Sequence, residues 1–123
     1  MVDAICKELE LRMPELSDQT ISSIYFGGGT PSILNIVEIN QILNQIYKLY
    51  KIDKKIEITI ECNPDDLKER KLLEFKKSNI NRLSIGVQSF KQEDLFFMNR
   101  SHNFKDSINC INKAKSVGFN NIT

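Results

Sequence analysis

The sequence predicts an α/β fold in which a parallel sheet is assembled from βα units, and three observations predict it. Strand-like runs near residues 20–26, 55–62 and 82–89 alternate with amphipathic helical stripes along the whole chain, the order that right-handed βαβ crossovers produce. The repeat is about 30 residues, which one such unit requires. The third observation is the tail: Gly118 reads as a helix C-cap, and Phe119 to Thr123 looks like the opening of a fourth strand.

Length and composition set the frame for the elements. With 123 residues, 41% of them hydrophobic and 27% charged, residues 1–123 suit one globular domain. Seventeen basic residues oppose sixteen acidic ones, so no basic field exists to recruit nucleic acid or an anionic membrane. No apolar run approaches the ~20 residues of a membrane span, and residues 1–4 lack the basic and apolar regions of a signal peptide. A cytoplasmic location is expected. Cys6, Cys62 and Cys110 are too widely spaced for a zinc site, an iron–sulfur site or a disulfide framework, so they are expected to be reduced thiols with no metal ligand among them. His102 follows Arg100-Ser101 in a polar stretch and reads as solvated or capping.

Taken in order, Val2, Ile5, Leu9 and Met13 form a one-sided stripe and predict a first helix over 2–13, which Pro14 breaks. Thr20 to Phe26 is the first strand. It stops at Gly27-Gly28-Gly29-Thr30-Pro31-Ser32, where glycines allow close approach to bare backbone and Pro31 biases Thr30 toward an extended conformation. Asn35 with Glu38 reads as a capping box for a second helix that carries Val37, Ile39, Ile42, Leu43, Ile46 and Leu49. Lys55 to Cys62 alternates, with Ile56, Ile58, Ile60 and Cys62 on one face and Glu57, Thr59 and Glu61 on the other. Parallel strands covered on both faces read as continuous apolar runs, so this polar face looks onto something wet.

Asn63-Pro64-Asp65-Asp66 then turns the chain into a third helix with Leu67, Leu72 and Leu73, ended by Ser78-Asn79, where Asn79 suits a left-handed C′ position. Arg82 to Ser89 is read as the third strand, with Leu83, Ile85 and Val87 opposite Ser84, Gly86 and Gln88. A short helical segment lies within Phe90 to Arg100, and Asn103 with Asp106 starts a longer helix bearing Ile108, Ile111, Ala114 and Val117. Parallel α/β sheets hold ligands at the carboxyl ends of their strands. The glycine loop, Glu61 and Gln88 fall at equivalent ends of three neighbouring strands, so together they predict a site, although each alone reads equally well as a turn or capping residue.

Four ordered motifs also carry a family resemblance over nearly the whole chain. Tyr25-Phe26-Gly27-Gly28-Gly29-Thr30-Pro31-Ser32, Glu61-Cys62-Asn63-Pro64, Asn81 through Phe90, and Asn99-Arg100-Ser101-His102 together resemble the anaerobic coproporphyrinogen oxidase group of radical S-adenosylmethionine proteins. Within it, Gly86-Val87-Gln88-Ser89-Phe90 and Asn63-Pro64-Asp65 look like the haem chaperone branch, whereas the oxidase branch usually has an aspartate in place of Ser89 and Asp-Pro-Arg after the glutamate.

The resemblance implies a partial TIM-like barrel, S-adenosylmethionine as cofactor and a 4Fe-4S cluster held by Cys-x3-Cys-x2-Cys. It implies that Gly28, Gly29 and Thr30 contact the cofactor's methionine moiety, that Glu61 accepts from it, that Gln88 binds near the ribose and that Arg100 pairs with its carboxylate. The guanidinium fork suits a carboxylate, and a carboxylate suits a sulfonium or ammonium group. None of the three cysteines matches a cluster position, and the family's next cofactor-contacting acid would fall just past Thr123. An internal fragment of a radical S-adenosylmethionine core domain is therefore expected, without the cluster-binding and C-terminal segments. The intact protein would bind haem and pass it to acceptor proteins, or decarboxylate coproporphyrinogen III, or, as an inert truncated domain, bind nothing.

Overall fold

The computed structural model describes residues 1–100 and 103–123, so the reading of His102 lies outside the described residues. Helices α1 (Val2–Arg12), α2 (Ile36–Leu49), α3 (Glu69–Lys77), α4 (Gln92–Phe97) and α5 (Phe104–Ser116) alternate with strands β1 (Thr20–Phe26), β2 (Lys51–Cys62), β3 (Arg82–Ile85) and β4 (Asn121–Ile122). The strands form one sheet in the order β1-β2-β3-β4, and every neighbouring pair is parallel. This is the α/β arrangement expected from the alternation of elements.

One face of the sheet is apolar and packs on helices. Ile24 and Phe26 of β1, Ile58, Ile60 and Cys62 of β2, and Leu83 and Ile85 of β3 are buried, together with Ile39, Ile42, Leu43 and Ile46 of α2, Leu72 and Phe75 of α3, and Cys110 and Ala114 of α5. The opposite face carries Glu57, Thr59 and Glu61. Arg82 on this face meets Glu57 at 3.6 Å and Thr59 Oγ1 at 3.5 Å, and donates to Thr123 Oγ1 at 2.9 Å.

Local chemistry explains most boundaries. Asn35 and Glu38 form the expected reciprocal capping box on α2, and Asn103 and Asp106 form another on α5. Asn79, at φ 64°, and Gly118, at φ 95°, close α3 and α5 in the left-handed region. Asn81 extends the β3 ladder with its side chain, accepting from Ile58 N and donating to Ile56 O, both at 2.8 Å.

Four expectations need correction. The strand near 55–62 begins at Lys51, because Thr20 and Ile21 pair with Lys51 and Ile52 before the register shifts and Ser23 pairs with Glu57. The intervening Asp53 accepts from Lys55 N at 2.7 Å in a local turn, and this charged bulge hides the strand's true start. The strand read over 82–89 ends at Ile85. Beyond it, Val87 N and Ser89 N donate two residues back, to Ile85 O at 2.8 Å and Val87 O at 2.9 Å, so the chain coils on itself and leaves the ladder. The α1 stripe is Val2, Cys6 and Leu9 packed against the core, with Ile5 and Met13 exposed. Val37 is exposed on α2, and α5 buries Ser107, Cys110 and Ala114 while Ile108 stays exposed.

Candidate functional site

A cleft of about 310 Å³ opens across the carboxyl ends of β1, β2 and β3, lined by Gly29, Thr30, Glu61, Cys62, Asn63, Ser84, Gly86, Gln88 and Arg100. Five of the six residues singled out from the sequence therefore surround one space. The sixth, Gly28, sits at its edge and donates its N–H to Glu61 Oε2 at 3.0 Å.

The glycine loop is shaped by two different constraints. Gly28 and Gly29 have φ of 84° and 61°, and a Cβ at either would meet nothing within 4 Å, so the demand there is on backbone conformation. Gly27 has the opposite problem. A Cβ on it would lie 2.7 Å from Tyr25 Cε1 and 3.3 Å from Glu61 Oε1, so only glycine leaves room for the ring folded beneath it.

Glu61 is fixed from the β1 side. Its Oε1 accepts from the Tyr25 hydroxyl at 2.8 Å while its Oε2 accepts from Gly28 N. Tyr25 reaches it because Ile24 and Phe26 point into the core, which leaves Tyr25 on the polar face beside Thr59 in the β1–β2 register. A second tie holds the loop from below. The buried Ser32 donates to Asp66 Oδ2 at 2.6 Å and accepts from Asn63 N at 3.2 Å, and Lys71 Nζ donates to the Ser32 carbonyl. The stretches after β1 and after β2 are thus bound into one rim.

The far wall is the coiled segment after β3. Gln88 does not end a strand: at φ 68° it is a non-glycine residue in the left-handed region, a strained conformation of the kind that gathers at functional sites. Gly86 lies against this residue: a Cβ there would stand 3.1 Å from Gln88 Nε2 and would press on the amide. Ser89 ties this segment to the start of α4, donating to Asp94 Oδ2 at 2.6 Å and accepting from Lys91 N at 3.1 Å. Arg100 follows α4, its N–H bonded to Leu95 O at 2.9 Å, and lines the same cleft as Glu61.

The thiols lie elsewhere in character. Burial pushes the Cys62 thiol up to about 12 and the Cys110 thiol up to about 11, so both are held protonated. Among the described residues no group of three His, Cys, Asp or Glu side chains is placed to hold a metal ion. No described helix is long and apolar enough to cross a membrane. Asn63 and Ser84 also line the cleft, and Tyr25 and Ser32 brace its rim through Glu61 and Asn63, without a role expected from the sequence. Membership of Tyr25, Ser32 and Asn63 in the glycine and Glu-Cys-Asn-Pro stretches was the available signal.

A parallel βα sheet with a mixed-charge cleft across the carboxyl ends of its strands, rimmed by a left-handed glycine loop, defines the class as an α/β protein with a candidate site at the strand ends. Residues 5–123 match the radical SAM superfamily, and the chain belongs to that family. It is 36% identical over 119 residues to the haem chaperone HemW of Buchnera aphidicola subsp. Acyrthosiphon pisum, covering 97% of this chain and 32% of that protein. It is 30% identical over 118 residues to the oxygen-independent coproporphyrinogen III oxidase of Salmonella typhimurium, covering 96% of this chain and 26% of that one. The structure superposes on the Escherichia coli coproporphyrinogen III oxidase HemN, a radical SAM enzyme, with a TM-score of 0.86 at 29% identity, over 98% of this chain and 28% of that one. The chain thus spans between about a quarter and a third of the length of these curated relatives.

Proposed function

We propose that the cleft binds S-adenosylmethionine, and that these 123 residues are part of the core domain of a radical SAM haem chaperone that holds haem and passes it to acceptor proteins. The observation that carries the cofactor reading is the composition of the cleft. One carboxylate, one guanidinium, two amides and two hydroxyls surround a bare-backbone loop. That set complements an amino-acid zwitterion joined to a polar nucleoside, and the volume falls in the range of small-molecule sites, roughly 300–1,000 Å³.

In this reading Arg100 pairs with the cofactor's carboxylate as a bidentate fork. Gly28, Gly29 and Thr30 bound its methionine end with main chain and hydroxyl, Glu61 accepts from its cationic groups, and Gln88 meets the ribose. When bound, the cofactor supplies radical chemistry through its reductive cleavage. A 4Fe-4S cluster does not fit the residues described: two of the three thiols are buried and held protonated, and no three candidate ligands converge. The cluster that the superfamily implies would be held by residues outside these 123.

The haem chaperone reading is supported by the names of the relatives matched at 36% and 37% identity and by Ser89 and Asn63-Pro64-Asp65. The HemN superposition favours a second reading, oxidative decarboxylation of coproporphyrinogen III. The full-length protein, purified anaerobically, tests both. Calorimetric titration should show S-adenosylmethionine binding, and haem loaded on the protein should move to an apo-haemoprotein without turnover of coproporphyrinogen III. Turnover without haem transfer would establish the oxidase, and no cofactor binding would overturn the cleft assignment.

A further inference from the structure

Tyr25 makes a contact that the cofactor reading does not use. Its ring lies under Gly27, its phenol donates to Glu61 Oε1 at 2.8 Å, and its side of the residue remains 55% exposed on the polar face of the sheet. We propose that Tyr25 is a positioning residue that orients the Glu61 carboxylate for the ligand. The proposal rests on the cofactor reading and deepens it.

An ionised carboxylate has about four acceptor sites on its two oxygens. Two of them are taken here by donors that come from one direction, the Tyr25 hydroxyl on β1 and the Gly28 N–H just after it. Because β2 lies between β1 and β3, occupation from the β1 side leaves the other acceptor sites turned toward the Ser84, Gly86 and Gln88 wall, across the cleft where a ligand lies. Without the phenol, Gly28 N would be the one donor to the carboxylate among the described residues, and the group could rotate about its last torsion, which is broad and weakly restrained. The spatial fit is mutual: Gly27 must lack a Cβ to accommodate the ring, whose Cε1 and Cδ1 would otherwise stand 2.7 and 2.9 Å from it. Glycine at 27 and tyrosine at 25 therefore form one device, in which the loop makes room for the side chain that aims the acid.

The test is a double-substitution cycle on the full-length holoprotein, read as S-adenosylmethionine affinity by calorimetry. Tyr25→Phe keeps the ring against Gly27 and removes only the phenol donor, so the thermal midpoint should stay close to that of the parent. Affinity should fall about tenfold, the loss typical of one hydrogen bond to a charged group. In a Glu61→Ala background, where no acceptor remains for the phenol, the same Tyr25→Phe change should cost less than about twofold, because residues acting through one another are non-additive. A purely structural role would impose the same loss in both backgrounds. Unchanged affinity in Tyr25→Phe, or equal losses with and without Glu61, would overturn the positioning role alone. Failure of the unsubstituted holoprotein to bind would overturn the cofactor reading and this proposal with it.

Discussion

Three glycines in a row occupy two kinds of position, and substitution separates them. Gly28→Ala should cost about 1–2 kcal/mol through its left-handed backbone alone, since no atom lies within 4 Å of the added methyl. Gly27→Ala should cost about 1–3 kcal/mol by overpacking against the Tyr25 ring, and a Tyr25→Ala background should remove most of that loss while leaving the Gly28→Ala penalty untouched; chemical denaturation of the three single and two double variants checks both. Arg82 on the polar face of the sheet and Arg100 in the cleft divide in the same way. Arg82 is tied to Glu57, Thr59 and Thr123, so Arg82→Ala should lower the thermal midpoint. Arg100→Ala should instead weaken S-adenosylmethionine binding by about 1.5–3 kcal/mol, the worth of a charged hydrogen bond, and equal affinities of the two variants by calorimetry would remove Arg100 from the cleft. The buried thiols add a pH dependence of known sign. Cys62 is pushed up to about 12 in the fold against about 8.5 for a free thiol, so its contribution is fully present below pH ~8.5 and is lost as pH rises toward ~12. Cys62→Ala should flatten the alkaline fall in stability, measured by denaturation between those limits.

At the scale of elements, what was legible in the sequence is what is local. Both reciprocal caps, on α2 and α5, and both left-handed helix ends, at Asn79 and Gly118, follow from residues within a few positions of each other. The apolar face of β2 was equally plain, because Ile58, Ile60 and Cys62 alternate with Thr59 and Glu61. Features that depend on another part of the chain were not. The early start of β2 needs its partner Thr20 and Ile21, and β3 ends early because Val87 N and Ser89 N turn back to carbonyls of their own segment, which the apolar alternation of 83–87 does not reveal. The Tyr25–Glu61 bond requires the β1–β2 register, which no local spacing encodes. Ser32 shows the energetic weight of such non-local ties. It is fully buried and joins the stretch after β1 to Asn63 N and Asp66. Ser32→Ala leaves a part-buried N–H and a carboxylate without their partner, and should destabilise by about 1–3 kcal/mol, whereas Ser89→Ala, at exposed contacts ahead of α4, should cost about 0.5 kcal/mol. Urea midpoints of the two variants would order them.

The whole molecule is a sheet with helices packed on one face and a polar opposite face, and its outer strands set its behaviour as a separate piece. Among the described residues β1 pairs only with β2, and β4 is two residues long beside β3. A parallel sheet with open edges presents unpaired N–H and C=O rows that template pairing with another chain. The outer edge of β1 has no proline within Thr20–Phe26, and no charged side chain of the sort that commonly blunts such edges. Phe96, Phe97, Ile33 and Val37 are exposed as well, which adds apolar surface to any such encounter. Expressed alone, the 123 residues should therefore associate as concentration rises, seen by sedimentation velocity as a growing weight-average mass and by heating as a midpoint that depends on concentration. Ile21→Lys, at a half-buried position on this edge strand, places a charge where a second chain would dock and should suppress association, at some cost in stability. A chain that stays monomeric at high concentration and unfolds reversibly in one sharp step would show that the β1 edge is protected as it stands.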